Sequence, residues 1–241
     1  SRGLGDVYKR QPEFMYLLTE TASPFALERW AAFFANFGQF AKGFFYTLGI
    51  SIGALIVALL LGLIFGAMSS THNKVLRGIS RVYVEIFQNT PLLVQFVVVF
   101  YGISILTDGH VMIPISLTAI LCVGVYTGAY ISEIIRTGIE AVPKGQTEAA
   151  LSQGFTYADT MRIIILPQAV RTILPPLTNQ VVNLIKNTST VAIISGADIM
   201  FTAKAWAYDT TNYVPAFAGA AFLYFIMCFP LAAWARRKEE E

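Results

Sequence analysis

The chain has few charged residues for its length. Asp, Glu, Lys and Arg make up 13% of its 241 residues, about half of the roughly 25% found in soluble domains. Cysteine and histidine are scarcer, with two of each. Cys122 and Cys228 lie in apolar runs, as small core residues do, and the isolated His72 and His110 offer no histidine-based metal cluster. These shortages argue against a disulfide framework and against a metal centre.

Apolar residues, in contrast, are abundant. Hydrophobic side chains make up 55% of the sequence, and the mean hydropathy is +0.59. A soluble domain of this size could not bury so much apolar surface, which predicts an integral protein of the lipid bilayer. The formal charge of +2 and the pI near 8.5 are too mild to indicate a nucleic-acid partner.

Composition divides the chain into three segments. Residues 1–14 are polar, mixed in charge and followed by Met15, which indicates a probable non-native leader. Residues 15–43 form an N-terminal interfacial segment. Its stretch 22–40 is rich in aromatic residues and carries only Glu28 and Arg29 as charges, which predicts an amphipathic helix in the outer membrane interface. Residues 44–241 form a single membrane domain.

Five stretches are apolar and long enough to cross a bilayer, which takes about 20 residues. They are residues 44–68, 86–107, 111–132, 163–185 and 214–235. The sequence therefore predicts an all-α integral membrane protein with five transmembrane helices.

Three of these stretches carry local signals. In the first, the pairs Gly49/Gly53 and Gly62/Gly66 have the four-residue spacing that lets another helix approach closely. In the second, Thr90-Pro91 indicates an N-cap followed by a first-turn proline, and therefore a kinked start. In the fourth, Pro175-Pro176 predicts a bend.

Basic residues between the spans predict the orientation. Positive charge marks the cytoplasmic side. The first and third loops and the C-terminal tail are the basic ones, with Lys74, Arg77, Arg81, Arg136, Lys144, Arg162 and the tail residues Arg236, Arg237 and Lys238. The second loop has no basic residue, and the basic residues of the fourth are balanced by acidic ones. We therefore expect the N-terminus outside and the C-terminus in the cytoplasm.

The third loop contains a short helix with clear boundaries. Pro143 and Gly145 end the third span, and Thr147 is a candidate cap for a new helix, whose first turn would hold Glu148. Gly154 stands where a left-handed residue would end that helix. A short surface helix with small side chains is suited to a groove on a partner protein.

The same loop resembles the EAA loop of the membrane subunits of ABC importers that use binding proteins. The match consists of Glu148-Ala149-Ala150, then Gly154 after three residues, Ile164 after nine more and Leu166-Pro167. Segments 83–95, 129–136 and 183–189 resemble the polar amino acid branch of that family. The resemblance covers roughly residue 44 to the C-terminus. It departs from many relatives at Gln88, where they have arginine.

The resemblance implies a role for this loop and a set of partners. The helix around Glu148 to Gly154 would be a cytoplasmic coupling helix that docks in a cleft of a separate ATP-binding subunit. Glu148 would contact that subunit, Ala149 and Ala150 would allow close approach, and Gly154 would make the turn. The expected partners are a second permease subunit (the same chain or a sister), two ATP-binding subunits and an extracytoplasmic amino-acid-binding protein.

Polar residues within the spans suggest a path for a substrate. Proline-broken helices near the midplane often carry transporter sites, and Asn179 and Asn183 follow the proline pair on one helix face. We hypothesise that these two residues line the path with Tyr126 and Tyr130. Hydrogen bonding between helices is an equally good explanation. Arg171 either reaches the interface or faces a water-filled path.

Two further observations limit the function. Glu133 and Arg136 are three residues apart near the end of the third span, which favours a structural ion pair over a substrate contact. The chain lacks the Gly-x-x-x-x-Gly-Lys-Ser/Thr loop, so no cofactor is expected on it, and ATP and magnesium belong to the partner ATPase.

The favoured interpretation is therefore a permease subunit in a bacterial inner membrane and not an enzyme. A membrane enzyme would need converging catalytic groups, and a passive channel would leave the Glu148 to Gly154 loop unexplained. The resemblance through residues 194–200 favours glutamine, glutamate or aspartate as substrate.

Overall fold

The computed structural model describes residues 23–240, with side chains up to residue 237. The predicted leader, residues 1–14, and the first part of the interfacial segment lie outside the described residues. Every regular element in the described part is helical.

The helices of residues 23–240 are numbered α1 to α9 in chain order. They are α1 (Leu27–Ala35), α2 (Phe37–Ser69), α3 (Lys74–Gln88), α4 (Leu92–Leu106), α5 (Ile115–Glu140), α6 (Lys144–Ser152), α7 (Leu166–Asn187), α8 (Ile199–Thr210) and α9 (Tyr213–Glu240). A helical turn (Tyr157–Asp159) and a π-helical segment (Thr160–Ile165) lead into α7, and a 3-10 helix (Thr188–Ile194) follows it.

Three helices, α2, α5 and α9, are each long and apolar enough to cross a membrane. They contain the predicted spans 44–68 and 214–235 and most of 111–132. The predicted span 86–107 is divided between α3 and α4, which meet the same criterion only as a pair and are bent by 97° at their junction. The described residues thus contain three candidate spans, or four if the bent pair counts as one.

The predicted kink at Thr90-Pro91 is present, but the cap is one residue later than predicted. Pro91, with an extended backbone, precedes α4, and Thr90 makes no capping bond to it. Instead, the Thr90 hydroxyl donates to the Ile86 carbonyl (2.8 Å), and the Gln95 amide donates to the Thr90 hydroxyl (2.9 Å). A side chain of α4 therefore stabilises the bend between α3 and α4.

The predicted span 163–185 corresponds to α7, which is not among the candidate spans. It is a single helix that runs through Pro175 and Pro176 without interruption. Membrane proteins tolerate such prolines where neighbouring groups satisfy the freed carbonyls. Its polar residues keep it below the hydropathy of a lipid-facing span.

The close approach of α2 and α5 explains three of the four predicted glycines. A Cβ on Gly62 would lie 2.7 Å from the Ile131 Cβ, and one on Gly66 would lie 2.8 Å from the Ile135 Cβ. Gly53 meets Ile120 in the same way, whereas Gly49 has nothing within 4 Å. The glycine stripe thus packs α2 against α5, as van der Waals association in lipid requires.

The N-terminal amphipathic helix is shorter than predicted. Helix α1 ends at Ala35, and α2 begins at Phe37, so the stretch 22–40 contains a junction at Asn36. The Asn36 side-chain amide donates back to the Ala32 carbonyl (2.9 Å), which ends α1 there. Phe33 is buried against Phe40 and Trp206, which attaches this segment to α8.

Candidate functional site

The short helix predicted in the third loop is present as α6. It begins at Lys144, after Pro143, whose extended backbone places it just outside the first turn. Thr147 lies within the helix, so its predicted role as the N-terminal cap is wrong. The proline takes this place because its fixed φ suits the start of a helix and no N–H is needed there.

Gly154 ends α6 in the predicted left-handed conformation, with φ at +87°. Its N–H donates to the Leu151 carbonyl (3.0 Å), and the next N–H, that of Phe155, donates to the Ala150 carbonyl (3.1 Å). These two bonds form a Schellman cap, in which a glycine is preferred because it has no Cβ.

One side of α6 packs against the rest of the chain, and the opposite, free side is exposed. Ala150 is 3% exposed, and α6 packs against the Thr160–Ile165 segment. Glu148 and Ala149 are exposed in the single chain. Each predicted coupling residue therefore has a distinct position: Glu148 and Ala149 face outward, Ala150 anchors the helix, and Gly154 turns the chain.

Tight contacts connect the base of α6 to the helical bundle. Val142, just before α6, is buried in an apolar cluster with Ile165 and Ala169. One turn earlier, a Cβ on Gly138 of α5 would come within 3.1 Å of the Ile173 Cδ1 of α7. A close-packed interior transmits displacement with little compression. The start of α6 is thus packed directly against the ends of α5 and α7.

A polar cleft opens between α5 and α7. Its volume is about 440 Å³, and it is lined by Tyr126, Tyr130, Gln180, Asn183, Lys186 and Asn187. The two tyrosine hydroxyls are 3.1 Å apart and share a hydrogen bond. The cleft offers donors and acceptors together with one cation, a set that can bind a zwitterionic or anionic small molecule.

The structure brings together three of the five predicted path residues, namely Tyr126, Tyr130 and Asn183. Asn179 and Arg171 are exposed on α7 but do not line the cleft. Lys186, Gln180 and Asn187 were missed by the sequence reasoning. The signal was available, because Gln180, Asn183 and Asn187 recur at helical spacing and so share a face.

The predicted pair of Glu133 and Arg136 is present and extends to a third residue. Arg136 forms two hydrogen bonds to the Glu133 carboxylate and one to that of Glu140. The group lies at the end of α5 nearest α6, where one guanidinium is shared by two carboxylates. In the part of the chain that the structure describes, no cluster of three His, Cys, Asp or Glu side chains is suited to a metal ion.

The chain is similar to known transport proteins in sequence and in structure. Residues 58–239 match the family described as "Binding-protein-dependent transport system inner membrane component". The "Probable glutamine ABC transporter permease protein GlnM" of Bacillus subtilis (strain 168) is 38% identical over 202 residues, which cover 83% of this chain and 91% of GlnM.

Two further relatives extend the comparison. The "Glutamate/aspartate import permease protein GltJ" of Escherichia coli (strain K12) is 33% identical over 208 residues, covering 79% of this chain and 85% of GltJ. A solved structure described as an "amino acid ABC transporter with histidines" superposes with a TM-score of 0.81 at 31% identity, covering 88% of this chain and 97% of that chain.

These matches confirm the predicted family and the prediction that the chain is a multi-pass membrane permease, not an enzyme. In such permeases the ATPase is a separate subunit, so the chain works within a larger membrane complex. The chain belongs to the family of binding-protein-dependent transport system inner membrane components.

Proposed function

We propose that the chain forms the translocation path of an ATP-driven importer for a polar amino acid of the glutamine, glutamate or aspartate type. Relatives named for glutamine and for glutamate and aspartate support this substrate class. A cystine permease of Bacillus subtilis is 36% identical over 191 residues, so the substrate range within the family is broad.

The observation that carries the proposal is the exposed polar face of α7 in an otherwise apolar bundle. Asn179 and Asn183 are exposed on this face and have little reason to face lipid, where unpaired polar groups are costly. A second permease subunit packed against this face would turn the cleft into an enclosed path. We therefore place Tyr126, Tyr130, Arg171, Asn179 and Asn183 on the path, with Lys186 added.

The proposed topology has five spans, with α3–α4 and α7 as the second and fourth. The N-terminus would be outside and the C-terminus cytoplasmic, in a bacterial cell membrane. Five basic residues predicted to share the cytoplasmic side, Lys74, Arg77, Arg81, Arg136 and Lys144, line one cavity in the structure, which supports this orientation. Helix α6 lies at the same end.

The proposed coupling follows from the position of α6. Its free side would dock in a cleft of an ATP-binding subunit, where ATP and magnesium would bind. Closure of two such subunits would then move α6, and through its buried base the ends of α5 and α7. An external binding protein would deliver the amino acid to the opposite end.

The test is uptake of radiolabelled glutamine, and of glutamate, into proteoliposomes containing the complete transporter and internal ATP. Loss of one neutral hydrogen bond changes affinity by about 2- to 10-fold, and loss of a charged one by about 10-fold or more. We expect Asn183→Ala to raise the half-saturation concentration and Lys186→Gln to raise it further, with assembly intact.

Gln39→Ala is the matched control, since Gln39 is an exposed amide near the start of α2 and does not line the cleft. Unchanged uptake kinetics in both cleft variants would remove the cleft from the path. Uptake that persists without ATP would contradict the proposal that the transporter is an ATP-driven importer.

A further inference from the structure

A second cavity, separate from the polar cleft, lies beside α3. It has a volume of about 1010 Å³ and is bounded by α3, the end of α2, the end of α5 and the start of α6. The transport mechanism proposed above makes no use of it. Its lining is polar and rich in basic side chains.

The charges of this cavity are not balanced. Five Lys or Arg residues line it against three Glu residues. Arg136 is occupied by Glu133 and Glu140, and Arg81 lies 3.7 Å from Glu85. Within residues 23–237, the remaining cations Lys74, Arg77 and Lys144 have no carboxylate within 4.0 Å. The cavity therefore presents cationic donors that are free to bind an anion.

Helix α3 carries two further faces beside this basic one. Its inner face is fixed to the bundle, because the Ser80 hydroxyl donates to the Phe65 carbonyl (2.7 Å) and the Tyr83 hydroxyl donates to that of Val125 (2.7 Å). Its third face is an apolar stripe whose members are all about half exposed or more, namely Val75, Ile79, Val82 and Ile86. These four residues recur at helical spacing and form one strip of surface.

A ligand that satisfies both outer faces must combine an anion with a long apolar part. We propose that the cavity binds an anionic phospholipid, with the phosphodiester on Lys74, Arg77 and Lys144 and an acyl chain along the apolar stripe of α3. Basic pockets at the ends of membrane helices are suited to such headgroups. A soluble phosphate would leave the stripe uncovered, and a neutral lipid would leave the cations unpaired.

The placement also links the lipid to α6, because Lys144 is the first residue of that helix. A bound headgroup would join the start of α6 to α3. This inference depends on the chain being a membrane protein, which the family establishes, and not on the identity of the transported amino acid. Failure of the uptake experiment would therefore leave it unaffected.

The test titrates the delipidated transporter with phosphatidylglycerol or phosphatidylcholine and counts bound lipid by native mass spectrometry. Each Lys or Arg beside an anionic headgroup is worth about fivefold in binding. We expect Lys74→Gln with Arg77→Gln to lower the preference for phosphatidylglycerol by about 25-fold. The charge-preserving pair Lys74→Arg and Arg77→Lys should retain most of that preference.

The matched control is Arg236→Gln with Arg237→Gln, which removes the same number of exposed cations from the end of α9, outside the cavity. An equal loss in this control, or no loss in the α3 variant, would overturn the proposal. Displacement of the lipid by inorganic phosphate alone would assign the cavity to a soluble anion. Disulfide linkage of Val82→Cys to a second copy would assign the stripe to a subunit contact.

Discussion

Replacement of Gly154 by alanine tests whether the shape of α6 matters for coupling. Gly154 has a φ of +87°, a conformation in which a Cβ costs about 1–2 kcal/mol. No side chain lies within 4 Å of the position, so the penalty comes from the backbone alone. Relief of this strain would break the bonds from the Gly154 and Phe155 N–H groups that cap α6.

This free-energy cost sets the fraction of permease molecules in which α6 keeps its C-terminal cap. A cost of about 1–2 kcal/mol corresponds to roughly a 5- to 30-fold shift between capped and frayed forms. If the ATP-binding subunit docks only on the capped form, its apparent affinity falls by up to the same factor. The membrane bundle itself should keep its thermal stability, because Gly154 is exposed and outside the packed core.

The assay is the affinity of the purified permease for its ATP-binding subunit, with Gly145→Ala as the matched control. Gly145 lies within α6 and also has nothing within 4 Å. Alanine there favours the helix by up to about 1 kcal/mol. The two substitutions should therefore act in opposite directions. Equal affinities for wild type and Gly154→Ala, or an equal loss in both variants, would refute the reasoning.

Two predictions concern stability in detergent, measured as thermal or denaturant unfolding. Gly62→Ala should destabilise the contact of α2 with α5 by about 1–3 kcal/mol. Gly49→Ala is the control, because Gly49 has nothing within 4 Å, and it should be neutral or stabilising. Equal effects of the two substitutions would contradict the packing argument. Asp198, fully buried, caps α8 through the Met200 and Phe201 N–H groups and accepts from the Tyr224 hydroxyl. Asp198→Ala should lower the unfolding free energy by about 1–3 kcal/mol, and a loss no larger than that of Asp198→Asn would count against this role.

Much of the fold follows from hydropathy and spacing. The spans within α2, α5 and α9 are long uncharged runs, and no competing structure could satisfy their backbone in lipid. The glycine stripe and the left-handed Gly154 were also predictable, since both depend on the absence of a Cβ. The predicted helix starts were less accurate. Pro91 and Pro143 occupy the N-cap positions of α4 and α6, where the sequence suggested the hydrogen-bonding side chains of Thr90 and Thr147.

The residues that form the cleft were only partly predictable. Periodicity indicates which residues share a face of α7, but it does not indicate where along the helix a cavity opens. Arg171 lies twelve residues before Asn183, about 18 Å along the axis, and so misses the cleft. Lys186 lies just beyond the predicted span 163–185, whereas α7 continues to Asn187 and places Lys186 at the cleft.

Cross-linking of α6 to an ATP-binding subunit tests the coupling proposal most directly. Ala149→Cys places a thiol on the exposed side of α6, and Tyr208→Cys places one on the exposed surface of α8 as a control. A short thiol-reactive photo-cross-linker would be activated in native membranes, and the products would be identified by mass spectrometry. We expect a product with an ATP-binding subunit from Ala149→Cys and none from Tyr208→Cys. Products with that subunit from Tyr208→Cys alone, or from neither position in an actively transporting complex, would contradict the coupling proposal.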